Sequence, residues 1–116
     1  KVAIAHADTV GSSTIGRALY FSRSVVPYMR SADNDHWLKH GTYYRHIGMY
    51  AYRADILEKI TSLSPTVLEQ TESLEQLRWL EHGLTIPVGL SHHTSIGIDT
   101  PEDLQAAIQH LQSASL

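Results

Sequence analysis

The chain has 116 residues, 42% of them hydrophobic and 18% charged, with a formal net charge of −3 at pH 7 and no cysteine. That suffices for one domain around one modest core. It excludes a disulfide framework and thiolate metal sites, fits a reducing compartment, offers no basic stripe to a nucleic-acid duplex, and contains no apolar run near the roughly 20 residues that span a bilayer.

The first residues, Lys1-Val2-Ala3-Ile4-Ala5-His6, show no signal-peptide pattern and read as the middle of a strand, as in a chain cut from something longer. The apolar run 2–5 is expected to be that strand. Residues 8–16 are rich in turn formers and read as a loop. Residues 17–24 read as a strand on their aromatic and β-favouring content, and Pro27 confines the residues after it to an edge or extended segment. The polar stretch 31–42 reads as a loop anchored by Trp37 and Leu38. Residues 43–52 are expected to form a second long strand. A helix comes next, from Ala54 to about Leu63, with Ile56, Leu57 and Ile60 at helical spacing, and Ser64-Pro65 breaks it. A longer helix is expected from about Thr66 to His82. Leu68, Leu74, Leu77 and Leu80 form its apolar side, and Gly83 is its C′ residue. Then come a short strand at 84–90, a loop at 92–95 and an extended piece at 96–98. The last helix opens on Thr100-Pro101-Glu102-Asp103, where Thr100 suits the cap, Pro101 the first turn and the acids the positive helix end. Leu104, Ala107, Ile108 and Leu111 make its buried stripe, with fraying from Gln112. Strands and helices alternate, so the fold class is α/β, with no internal repeat and no domain boundary.

Both strand-like segments, 18–30 and 45–53, carry fixed cations among aromatics, which points to a site for a negatively charged small molecule. On strand parity His46, Gly48, Tyr50 and Tyr52 share one face of 43–52, and Ile47, Met49 and Ala51 share the other. The second face belongs to a core. The first is either a ligand wall or the polar outer face of an edge strand. Arg23 and Arg30 flank a proline turn and suit a carboxylate or phosphate, or else pair with surface acids. Glu69, Glu72 and Glu75 read as a solvated helix face. Glu75 lies one turn before Arg78 and suits pairing with it, or a sugar hydroxyl. Asp99 sits between an extended piece and a helix, where α/β ligands bind. It is either a cap or a Mg²⁺ ligand. Of the eight histidines, His92 and His93 are adjacent, and His36 and His40, four apart, fall in an expected loop, so no dedicated zinc site is expected. G-x-S-x-G, Walker and G-x-G-x-x-G motifs are absent.

Four segments taken together carry a resemblance. They are Tyr20-Phe21-Ser22-Arg23-Ser24 with Pro27-Tyr28 and Arg30; Arg45 through Arg53; Leu68-Glu69-Gln70 with Glu72-Ser73-Leu74-Glu75-Gln76-Leu77-Arg78; and Gly97-Ile98-Asp99-Thr100-Pro101-Glu102-Asp103-Leu104. In order and rough spacing the chain resembles the C-terminal half of the 3-deoxy-manno-octulosonate cytidylyltransferase (CMP-Kdo synthetase) family. Residues 31–42 look variable against that pattern, and Pro65-Thr66-Val67-Leu68 departs slightly from it. The family's nucleotide loop and acidic metal motif belong to an N-terminal half that does not appear here. The resemblance implies a nucleotidyltransferase-type three-layer α/β sandwich with a mixed sheet, residues 1–116 being its single C-terminal portion, and a strand-built dimerisation subdomain. It implies a cytoplasmic homodimer, associating through the region around 18–30, that joins CTP and Kdo into CMP-Kdo and pyrophosphate for lipopolysaccharide biosynthesis. Arg23 and Arg30 would contact the acidic sugar, His46 and Tyr50 would line its pocket, Glu75 and Gln76 would bind its hydroxyls, and Asp99 would hold Mg²⁺. The fragment alone is expected to be inactive. Competing readings are a non-catalytic dimerising module and a cytidylyltransferase for another acidic sugar.

Overall fold

The computed structural model describes residues 1–10, 13–31, 33–92, 97–98 and 100–114. β1 (Val2–Val10) and β2 (Ser13–Phe21) pair antiparallel, with Val2 opposite Phe21 and Val10 opposite Ser13. The turn-rich stretch expected to be a loop from residue 8 is therefore largely strand, and the first strand runs well past residue 5. Its threonines are β-branched and suit a pleated ladder as well as a turn. The register shifts between Ala3 and Ile4 and again between Ala5 and Asp8, as extra residues in a strand require. β3 (Pro87–Gly89) adds antiparallel to β2, with Gly16 opposite Val88. It is shorter than the expected 84–90. The sheet order is β1-β2-β3 and all pairings are antiparallel, so the mixed sheet is not found among the described residues.

On β2, Gly16 and Ala18 face inward while Ile15, Arg17 and Leu19 face out, the two-residue alternation of a half-buried strand. Val2, Ala18 and Phe21 pack with Leu77, which is 0% exposed. Ile4, Tyr20, Leu74, Leu80, Ile86 and Val88 close around them.

Residues 43–52 are not a strand. A single bridge joins Tyr44 to Val2, and Met49 N–H donates to Ile47 O at 2.8 Å. That i to i+2 bond makes a tight turn at Gly48, which draws the segment away from β1. The face expected in the core is outside it: Ile47 and Ala51 are exposed, and Met49 is 85% exposed.

α1 (Trp37–His40), preceded by a 3₁₀ turn at Asn34–His36, lies in the stretch expected to be a loop. Trp37 anchors it, stacked on Tyr43 at 6.1 Å and edge-on to Tyr28 at 5.1 Å. Leu38, the other expected anchor, is 82% exposed. A Cβ at Gly41 would lie 2.7 Å from Met29 Cε, the movable end of that side chain, and 2.9 Å from Tyr43 Cε2.

α2 (Ala54–Thr61) buries Ile60 and matches its expected position. The single long helix does not form. Instead α3 (Val67–Glu72) and α4 (Gln76–Glu81) are separated at Ser73, whose φ of 52° and ψ of 50° are left-handed. Glu69 and Arg78 form an ion pair between them, and Leu68 N–H donates to Glu81 Oε2 at 3.0 Å. Gly83, at φ 77°, follows the α4 C-cap as expected.

α5 (Pro101–Ala114) starts where expected. Thr100 Oγ1 accepts from Asp103 N–H at 3.2 Å, and Asp103 Oδ2 accepts from Thr100 N–H at 3.0 Å, a reciprocal cap. The helix continues past Gln112, the expected start of fraying. Of its apolar stripe only Ala107 is buried; Leu104, Ile108 and Leu111 are exposed. Residues 93–96 and 99, which include most of the expected 92–95 loop and the candidate ligand Asp99, lie outside the described residues.

Candidate functional site

The break at Ser73 decides what the α3–α4 segment presents. Arg78 gives both Nε and Nη2 to the Glu69 carboxylate, so it does not pair with Glu75 as expected. The Glu69 carboxyl is held below its ordinary range, chiefly by Arg78. Glu75, at the N-terminal edge of α4, is exposed, and its charge acts on His46, Tyr50 and Tyr52 as well as on Arg78. Gln76 is turned inward and is 3% exposed.

A chain of hydrogen bonds links three of the expected site residues. Gln76 Nε2 donates to the Tyr50 hydroxyl, and that hydroxyl is bonded to His46 Nε2. With Gln76 donating, the Tyr50 hydroxyl can donate to a His46 ring that carries its proton on Nδ1, or accept from one protonated on Nε2. Burial lowers the His46 pKa, against an opposing pull from Glu75, which favours the neutral ring. Burial first and Glu75 second raise the Tyr50 pKa, so the phenol keeps its proton. The imidazole rests edge-on against core Phe21 at 5.1 Å. Tyr50 stacks on Tyr52 at 6.1 Å, and Trp79 meets both edge-on at 6.2 and 5.8 Å. Gln76 Oε1 is buried with no hydrogen-bond partner among the described residues.

Beside this cluster lies a cleft of about 290 Å³ lined by Lys1, Ser22, Arg23, Arg45, His46 and Leu74. Three cationic side chains and a neutral imidazole suit an anion. Arg23 is firmly placed: its Nε donates to Glu72 O at 2.6 Å and its Nη2 to Ser73 O at 3.0 Å. Arg30 is exposed and joins none of these bonds. The structure thus brings His46, Tyr50, Glu75 and Gln76 together, sets Arg23 on the far side of His46, and leaves Arg30 out of the network.

Sequence reasoning placed Tyr52 on the candidate ligand face without giving it a role, and did not assign Trp79, Arg45 or Glu72 to the site. Tyr52 follows Tyr50 by two residues and Trp79 follows Gln76 by one helical turn, so spacing carried a signal for both. Arg45 adjoins His46. Nothing in the pattern separates Glu72 from its neighbouring acids. Among the described residues no group of three His, Cys, Asp or Glu side chains is placed to hold a metal ion.

A cytidylyltransferase family model matches residues 2–86. The chain is 62% identical over 90 residues to the 3-deoxy-manno-octulosonate cytidylyltransferase of Phocaeicola vulgatus, covering 78% of this chain and 36% of that protein. It is 57% identical over 98 residues to the Bacteroides thetaiotaomicron enzyme of the same name, covering 84% and 39%. A solved CMP:2-keto-3-deoxy-manno-octonic acid synthetase complexed with CTP superposes with a TM-score of 0.71 at 39% identity, covering 86% of this chain and 39% of that one. The chain spans well under half the length of the curated relatives it matches.

Proposed function

This chain belongs to the cytidylyltransferase family, and we propose that it supplies the sugar-binding wall of an enzyme that makes CMP-Kdo from CTP and 3-deoxy-manno-octulosonate, for lipopolysaccharide biosynthesis. The observation that carries the reading is the Gln76–Tyr50–His46 chain, with its unpartnered Gln76 Oε1, beside a cleft lined by Arg23, Arg45 and Lys1. An acidic sugar supplies a carboxylate that suits the cationic cleft and hydroxyls that suit Tyr50, Glu75 and Gln76. Arg23 and His46 lie on the anion side, and Tyr50, Glu75 and Gln76 on the polyol side. Arg30 joins them as a further sugar contact.

In the proposed reaction the anomeric hydroxyl oxygen of the sugar bonds to the α-phosphorus of CTP. The bond to the β-phosphate oxygen breaks, pyrophosphate leaves, and the hydroxyl proton is released. This chain's residues orient the sugar for that attack. Mg²⁺ would offset phosphate charge when bound. Asp99 is the ligand this chain would offer. Homodimer formation through the region around 18–30 is supported by the exposed apolar side chains of Leu19, Val25 and Tyr28. A cytoplasmic location accords with the biosynthetic reaction. Among the described residues no helix is long and apolar enough to cross a membrane.

The full-length protein is expected to release pyrophosphate from CTP only when Kdo and Mg²⁺ are present, and Asp99→Asn is expected to lower turnover strongly. No release with Kdo would overturn the function. Near-normal turnover in the variant would remove the metal role from Asp99.

A further inference from the structure

Glu72 ties the end of β2, whose Ser22 and Arg23 line the cleft, to the α3–α4 junction, whose Leu74 lines it too. Its Oε1 accepts from Ser22 Oγ at 2.7 Å and from the Tyr20 hydroxyl at 3.4 Å, and its Oε2 accepts from Arg23 N–H at 2.9 Å. Arg23 answers with its side chain, donating to the backbone carbonyls of Glu72 and Ser73. Each side chain therefore holds the other residue's backbone. Ser22 is 3% exposed, and its Oγ also accepts from Ser24 N–H at 3.0 Å, so the end of β2 is fixed from both directions. The Glu72 carboxyl is held below its ordinary range, first by the Arg23 N–H and then by Ser22. On the other strand of the clamp, Ser73 is the left-handed residue that ends α3 and starts the turn into Glu75 and Gln76. The guanidinium caps carbonyls that the broken helix leaves without partners.

We propose that Glu72 is a positioning residue: through its reciprocal clamp with Arg23 it sets the Ser73 turn, and so the placement of Glu75 and Gln76 against the Arg23 side of the cleft. The inference rests on the acidic-sugar reading of that cleft. It assigns Glu72 no contact with the sugar. Glu72→Gln keeps the shape but weakens three charge-assisted bonds, and a shift of either wall by a fraction of an ångström loses affinity for a ligand gripped from both.

The test uses the full-length protein, with sugar binding read by isothermal calorimetry. Glu72→Gln is expected to raise the KM and Kd for Kdo roughly ten- to hundredfold, with the KM for CTP and the melting temperature little changed. Ser22→Ala, which removes one donor and leaves the carboxylate, is expected to shift the same constants in the same direction by less, and it decides the matter if Glu72→Gln does not fold. Unchanged Kdo affinity in both variants would overturn the positioning role, as would an equal loss for both substrates together with a large fall in melting temperature. Failure of the parent protein itself to bind Kdo would overturn the sugar reading, and with it this inference.

Discussion

Tyr50→Phe and Gln76→Leu remove the same hydrogen bond from opposite ends, and the structure predicts very different costs for stability. Tyr50→Phe deletes one hydroxyl and two bonds, to Gln76 and to His46. The Gln76 amide stays where it is, buried, with Oε1 already unpartnered and Nε2 now in the same condition. Leaving a buried donor unsatisfied costs about 1–3 kcal/mol, and the partly exposed bond to His46 adds about 0.5 kcal/mol, so the expected loss is about 1.5–3.5 kcal/mol. Gln76→Leu removes both polar ends together and replaces them with apolar volume beside Trp79. The Tyr50 hydroxyl is half exposed and finds water. The expected change is within about 1 kcal/mol of zero, of either sign. In the double variant the orphaned amide no longer exists, so Tyr50→Phe should cost about 1–2 kcal/mol less than it does alone. Urea unfolding of the full-length protein and its three variants measures the cycle. Isothermal calorimetry with Kdo gives the functional arm, where all three variants are expected to bind weakly. A larger stability loss from Gln76→Leu than from Tyr50→Phe, or strict additivity in the double variant, would refute the hydrogen-bond chain as described.

Burial sets two further outcomes. It lowers the His46 pKa in the folded chain, so the unfolded chain takes up that proton first. The stability contribution is intact above the unfolded value of about 6.5 and is lost as pH falls through that value toward the folded one. His46→Gln should flatten this acid-side decline in a melting-temperature series, and an unchanged slope would count against a buried neutral imidazole. Leu77, fully buried against Val2, Ala18 and Phe21, should cost about 2–5 kcal/mol on replacement by alanine. A change below about 1 kcal/mol in urea unfolding would mean that α4 does not seat on this sheet face.

The elements that read correctly from sequence are those whose local chemistry has a single meaning. Thr100-Pro101-Glu102-Asp103 suits a helix start, and Gly83 suits the residue after a helix. Residues 8–16 have two meanings, because threonine and serine serve turns and strands alike, and only pairing with the partner strand resolves them. Residues 43–52 have the composition of a strand, but a strand needs a neighbour, and the turn at Gly48 takes the segment away from the one it touches at Tyr44. The exposed stripe of α5 shows the converse. Leu104, Ile108 and Leu111 have the spacing of a buried face, and periodicity alone does not say what covers it.

The failure of the long helix over 66–82 and the position of Glu75 have one cause. In a continuous helix Arg78 has Glu75 at i−3 as its natural partner. Glu69 lies nine residues away, about 13.5 Å along the axis, beyond reach of an ion pair. The break at Ser73 folds α3 back beside α4, so that Glu69 meets Arg78 and occupies its guanidinium. Glu75 is then left without a direct ion pair to Arg78, and its charge reaches His46, Tyr50 and Tyr52 as well as Arg78. Ser73 is neither glycine nor proline, so no residue type announced the break. What holds it is a long-range contact, the Arg23 guanidinium on the Glu72 and Ser73 carbonyls, between residues about fifty positions apart. Glu75 was legible as a site residue only through resemblance, because the geometry that frees it is set by β2 and not by its own helix.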